Sequence, residues 1–125
     1  MIVGTGIDIV EVPRVAEALE RFGERFKRRV FNESEIRYCD RKRNRAERYA
    51  ARFAAKEAAL KALGTGLSGG ISWHDVEMGR EPGGRPTIRF GGRAAQVAAR
   101  LRVSHVSVSV SHTADHAIAH VVLED

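Results

Sequence analysis

Two acidic residues far apart in the chain, Asp8 in GTGIDIVEV and Glu57 in RFAAKEAALKALGTG, stand beside residues that give them possible chemistry. Phe53, Glu57 and Lys61 recur every four residues, so on a helix they share one stripe. By itself a Glu followed four residues later by Lys is an ordinary surface ion pair, contributing about 0.2–0.5 kcal/mol. Asp8 adds a second meaning. A hard cation such as Mg²⁺ takes one or two carboxylates and completes its shell with water and phosphate oxygens, while a nearby ammonium neutralises remaining phosphate charge. Asp, Glu and Lys are the types such a metal and phosphate site requires, provided the fold brings residues 8 and 57 together.

The elements that would carry these groups follow from periodicity. Residues 2–10 alternate, with Val3, Thr5, Ile7 and Ile9 on one face and Gly4, Gly6 and Asp8 on the other. This predicts a strand with one bare face, on which Asp8 is the only functional group. Val12, Val15, Leu19, Phe22 and Phe26 then recur at helical spacing, with Pro13 tolerated in the first turn and Gly23 a point of breakage or bending. Arg14, Arg21, Arg25 and Arg28 form a second stripe on the same predicted helix, either a solvated basic face or a docking surface for an acidic partner. A short helix is expected from Asn32 or Ser34 through Tyr38, a basic turn-prone stretch follows, and a long helix spans 45–63 with Gly64 as its left-handed cap. Beyond the GTGLSGG loop, strands at 73–78 and 87–90 form a hairpin around Pro82–Gly84, and a helix covers 93–101. The chain ends in strands 106–111 and 117–123. The mixed order predicts one α+β domain over residues 1–125, a largely antiparallel sheet packed against one long helix and several shorter ones.

Composition narrows the function classes. With 125 residues, 43% apolar and 30% charged, the chain reads as soluble, and no apolar run reaches the roughly 20 residues of a membrane span. A cytoplasmic location is the expectation, since the N-terminal residues lack a signal-peptide pattern. The net charge of +5 calls for an acidic or phosphate-bearing partner. The single cysteine, Cys39, has no partner for a disulfide, and it reads as a bystander thiol. The two GTG triplets do not make a dinucleotide fingerprint, because position 9 is Ile and the second triplet follows a helix instead of opening one. His112 and His116 have the HxxxH spacing of a zinc motif but sit in strand-like flanks without the accompanying Glu. His120 reads as a strand histidine.

Taken together, GTGIDIVEVPRV and RFAAKEAALKALGTG resemble the two signature segments of holo-acyl-carrier-protein synthase, the small bacterial class of 4'-phosphopantetheinyl transferases. SWHDVEM, GGRPTI and VSVSHTADHAIAHVV look like further segments of that family, so the resemblance covers nearly the whole chain. It implies transfer of phosphopantetheine from coenzyme A to a serine of an acidic apo-acyl carrier protein, releasing adenosine 3',5'-bisphosphate. Asp8 and Glu57 would hold Mg²⁺, Lys61 would contact the phosphates, and the serine proton would pass to Glu57 or a metal-bound water. Arg52 and the Gly84-Arg85-Pro86 turn would take the 3'-phosphate and adenine end, and Arg14, Arg21 and Arg25 would dock the carrier. The family forms trimers with active sites between subunits, which the resemblance implies here too. One departure stands out: relatives read His-Val-Ser-x-Ser-His where this chain has Ser107 at the first position, with His105 two residues earlier on the same strand face. Competing readings are a nucleic-acid-binding module built on the Arg stripe and RKRNR, disfavoured by few aromatics, and a coenzyme A binder without transferase activity.

Overall fold

The computed structural model describes residues 1–125. Strand β1 (Ile2–Glu11) leads into helices α1 (Val12–Phe22), α2 (Glu24–Val30), α3 (Glu33–Asp40) and the long α4 (Arg45–Leu63). After them come the hairpin β2 (Val76–Arg80) and β3 (Pro86–Phe90), helix α5 (Gly92–Arg100), and the hairpin β4 (His105–His112) and β5 (His116–Glu124). All pairings are antiparallel: β1-β5-β4 form one sheet and β2-β3 a second, as expected for an α+β fold.

The bare face of β1 packs on α4. A Cβ at Gly6 would collide with the Ala58 carbonyl, and one at Gly4 with that of Ala62, so the glycines allow helix and strand backbones to approach closely. On the helix side Ala54, Ala55, Ala58 and Ala59 are fully buried, and these small side chains complete the close seam. Asp8 continues the same inward face, paired across β5 with Ala119, and so points toward the helix bearing Glu57 and Lys61. The opposite sheet face is left open: Ile7 and Ile9 are 58% and 64% exposed, and Ile118 opposite Ile9 is exposed as well.

Two apolar clusters flank α4. One joins its C-terminal half to β2, β5 and α5, and the other joins its N-terminal half to α1, α2 and α3. Buried charge ties these layers together. Glu35 on α3 accepts from the Lys56 ammonium at 2.8 Å, from the Asn32 N–H at 2.7 Å and from the Met78 N–H at 2.7 Å. Both side chains of the pair are fully buried, so the ammonium of α4 and an N–H of β2 meet on one carboxylate.

Two expectations need correction. The basic stripe does not run along one helix, because Gly23 takes φ 54° and divides it, placing Arg14 and Arg21 on α1 and Arg25 and Arg28 on α2. The strand expected from Trp73 starts only at Val76. Residues 73–75 form a 3-10 turn, where the Asp75 side chain accepts from the Ser72 hydroxyl and its carbonyl accepts from the Gly91 N–H.

Candidate active site

Residues 8 and 57 do meet. Asp8 and Glu57 line one cleft of ≈ 580 Å³ with Arg14 at its rim and Val10, Phe26 and Phe53 as apolar wall. Lys61, one turn beyond Glu57, donates to Asp8 Oδ1 at 2.8 Å and to the Ile7 carbonyl at 3.1 Å. Burial pushes the Glu57 carboxyl above its usual range, the Asp8 charge adds to this, and Lys61 opposes both. The Lys61 ammonium is raised, first by its hydrogen bond to Asp8. The excess negative charge of the two carboxylates is therefore only half answered by Lys61. The cleft offers no Ser-His or Cys-His pair, and Cys39 lies buried elsewhere, its thiol pushed by burial up to about 12. The carboxylates of the cleft, with Lys61 hydrogen-bonded to Asp8, are groups that can hold a cation and through it a charged ligand.

A second cluster lies on another side of α4. At 100° per residue, Arg52 stands about 140° around the helix from Glu57. Arg52, Arg48, Arg80, Pro86 and His112 enclose a pocket of ≈ 120 Å³ that shares no residue with the first cleft. Arg52 is 2% exposed and its guanidinium stacks 3.9 Å from the Tyr38 ring centre, with Arg80 and Lys42 over the same ring. Its Nε is the one buried side-chain polar atom without a hydrogen-bond partner. Burial pulls the Arg52 guanidinium below its usual range. Converging cations with an orphaned donor call for an anion.

Of the turn residues, Pro86 lines this pocket, Arg85 lines an adjoining cleft of ≈ 540 Å³ beside Ser107, and Gly84, at φ 93°, shapes the turn while its carbonyl accepts from Arg80. Arg14 reaches the first cleft, Arg25 lines a neighbouring one with Phe22 and Trp73, and Arg21 lines neither. His105 is exposed, its ring beside the Ser104 hydroxyl, and it lines neither the ≈ 120 Å³ pocket nor the ≈ 540 Å³ cleft. Sequence reasoning missed Arg48, Arg80 and His112. The signal for His112 was present in the strand alternation, which puts it inward with Val106, Val108 and Val110.

The sequence pattern of the 4'-phosphopantetheinyl transferase superfamily matches residues 4–121. The chain belongs to this superfamily. Within it, the holo-[acyl-carrier-protein] synthase of Koribacter versatilis is 62% identical over 125 residues, with both chains covered completely. Among solved structures, the holo-[acyl-carrier-protein] synthase of Neisseria meningitidis superposes with a TM-score of 0.90 at 34% identity over the full length of both chains. That of Helicobacter pylori, in complex with coenzyme A, gives 0.84 at 33% identity, covering 96% of this chain and 99% of that one. These similarities span the transferase from end to end, so both clusters fall within the matched length.

Proposed function

We infer that the chain transfers the 4'-phosphopantetheine group from coenzyme A to a serine of apo-acyl carrier protein, giving the holo-carrier and adenosine 3',5'-bisphosphate. The observation that carries this reading is the meeting of Asp8 and Glu57 in one cleft, with Lys61 donating to Asp8 and no Ser-His or Cys-His pair in the lining. In the reaction the serine Oγ bonds to the phosphorus that carries pantetheine, and the bond from that phosphorus to the bridging oxygen breaks. The nucleotide bisphosphate leaves with the electron pair. Nearly all catalysis is then positioning and charge neutralisation.

The donor set fits Mg²⁺. Asp8 and Glu57 offer oxygen only, the donor type of a hard cation that completes its shell with water and phosphate oxygens. Bound between them, the ion would polarise the diphosphate and offset the charge developing on it. Lys61 binds a phosphate oxygen once its hold on Asp8 is relaxed. Glu57 accepts the serine proton, a role to which a carboxyl of raised proton affinity is suited.

Arg52, Arg48, Arg80 and His112 take the 3'-phosphate, and the Gly84-Arg85-Pro86 turn borders the adenine end. Because this pocket and the carboxylate cleft occupy different sides of α4, the two ends of one coenzyme A are served by two copies of the chain. The open isoleucine face of the sheet supplies apolar surface for a homotrimer of that kind. The whole of residues 1–125 acts as one domain, since α4 contributes to both apolar clusters. Arg14 and Arg25 line clefts that share Phe26, and Arg21 lies over the Phe22 ring, which suits an acidic carrier presenting its serine to the cleft. No helix is long and apolar enough to cross a membrane, and the cytoplasm, where coenzyme A and carrier protein meet, is the working location.

The decisive experiment incubates the protein with coenzyme A, Mg²⁺ and several apo-carriers and weighs the carriers by mass spectrometry. One added phosphopantetheine per carrier is expected, lost in Asp8→Ala and Glu57→Ala variants that keep native circular dichroism. Carriers of unchanged mass refute the assignment.

A further inference from the structure

The Arg48, Arg52 and Arg80 pocket contains no carboxylate, yet Glu47 contacts His112 in its lining. Glu47 Oε1 lies 2.9 Å from His112 Nδ1, and the two side chains are 24% and 22% exposed. A carboxylate this close weakens an anion site unless it acts through the histidine. An ionised carboxylate has no hydrogen to give, so Nδ1 carries the hydrogen and donates it to Glu47. That leaves Nε2 as the other polar atom of a ring lining the pocket. With Nδ1 already protonated, Nε2 of a neutral ring bears a lone pair, which repels a phosphate oxygen. Donation to phosphate therefore needs a second proton on the ring, and the resulting imidazolium shares its charge with Glu47.

We propose that Glu47 is a positioning residue that commits Nδ1–H of His112 and so makes His112 a proton-coupled receptor for a phosphate monoester, the 3'-phosphate of coenzyme A. The idea rests on the function inferred above. Binding of the dianion forms one N–H bond at Nε2 with a proton released by a buffer acid, and no bond within the ligand breaks. The charged groups around His112 are Glu47, Arg48 and Arg52 on α4 and Arg80 on β2; its strand partner Ala117 on β5 and Pro86 on β3 carry none. Three guanidinium groups hold the phosphate whatever the pH, whereas the histidine adds selectivity for a doubly charged monoester.

The test is calorimetric titration of the full-length protein at mildly alkaline pH, in two buffers of different ionisation enthalpy, with coenzyme A and with 3'-dephospho-coenzyme A. Proton uptake is expected with coenzyme A alone, and both Glu47→Gln and His112→Gln should abolish it. In steady-state assays Glu47→Gln should narrow the KM preference for coenzyme A over the dephospho form by about tenfold, as for loss of a charge-assisted hydrogen bond, and Glu47→Asp should restore part of it. A purely structural role for Glu47 would move both KM values together. Equal proton uptake with the two ligands, or unchanged uptake in Glu47→Gln, overturns the proposal while leaving the transferase assignment intact. Absence of any coenzyme A binding by the wild-type protein overturns both.

Discussion

Glu57 is the residue whose chemistry depends most on its surroundings. Its carboxyl binds a proton more tightly in the folded chain than in the unfolded one, because burial and Asp8 outweigh Lys61. The folded state therefore holds more protons from the ordinary carboxylate range upward, and stability falls as pH rises through the folded value. In metal-free buffer containing a chelator, Glu57→Gln should melt at a higher temperature than wild type near neutral pH, with the gap closing toward pH 4. Differential scanning calorimetry across that range checks the sign; a gap that widens on acidification contradicts it. The same substitution should cost about 100-fold or more in kcat, the scale of removing one electrostatic contact to a developing charge. Adding Mg²⁺ should stabilise wild type more than Glu57→Gln, since a ligand bound only by the folded state raises its stability.

At the scale of elements, the seam between β1 and α4 sets the site. Gly6 has no room for a methyl group, and the atom in its way is a helix carbonyl that no rotamer change can move. Gly6→Ala should cost about 1–3 kcal/mol by overpacking and also separate Asp8 from Lys61, so activity should fall further than stability does. Urea denaturation with parallel kinetics measures both. The buried Glu35–Lys56 pair holds α3, α4 and β2 in register. Lys56→Met leaves the Glu35 carboxylate buried with only the two N–H donors, and a loss of about 3–5 kcal/mol is expected. Periodicity alone shows that α4 is amphipathic along the Phe53, Glu57 and Lys61 stripe, yet it does not reveal that Lys56, one residue away, is buried whole. Lys56 is tolerated inside because Glu35 and Asn32, more than twenty residues distant, supply its acceptors.

For the whole molecule, the question is how the carboxylate cleft and the arginine pocket serve one ligand. If each site draws on two copies, an equal mixture of Asp8→Ala and Arg52→Ala chains, each inactive alone, should regain activity after refolding together. Random assembly leaves roughly a quarter of the sites with both intact partners. Mixing without recovery would place the entire site within one chain. The isoleucine face gives the complementary prediction: Ile7→Glu should lower the mass measured by analytical ultracentrifugation and abolish transfer, although the exposed Ile7 side chain lies on the sheet face opposite Asp8.

The sequence by itself determined the local elements and the types of chemistry available. Alternation placed Asp8 on the bare face of a strand, the four-residue spacing joined Phe53, Glu57 and Lys61, and Gly64 marked the end of the long helix, because these properties repeat along the backbone. The sequence marked Gly23 as a point of breakage or bending without deciding between them, and it did not show that Asp75 delays β2, since each depends on a hydrogen bond or dihedral angle that composition does not fix. Tertiary structure alone decided which residues meet. Asp8 reaches Lys61 because two glycines let a strand and a helix touch, and Arg48, Arg80 and His112 converge from three elements whose separation in sequence carries no trace of their proximity. Glu47 is the sharpest case. In the sequence it is one acid among many in a basic stretch, and only the fold turns it toward a histidine on the far hairpin.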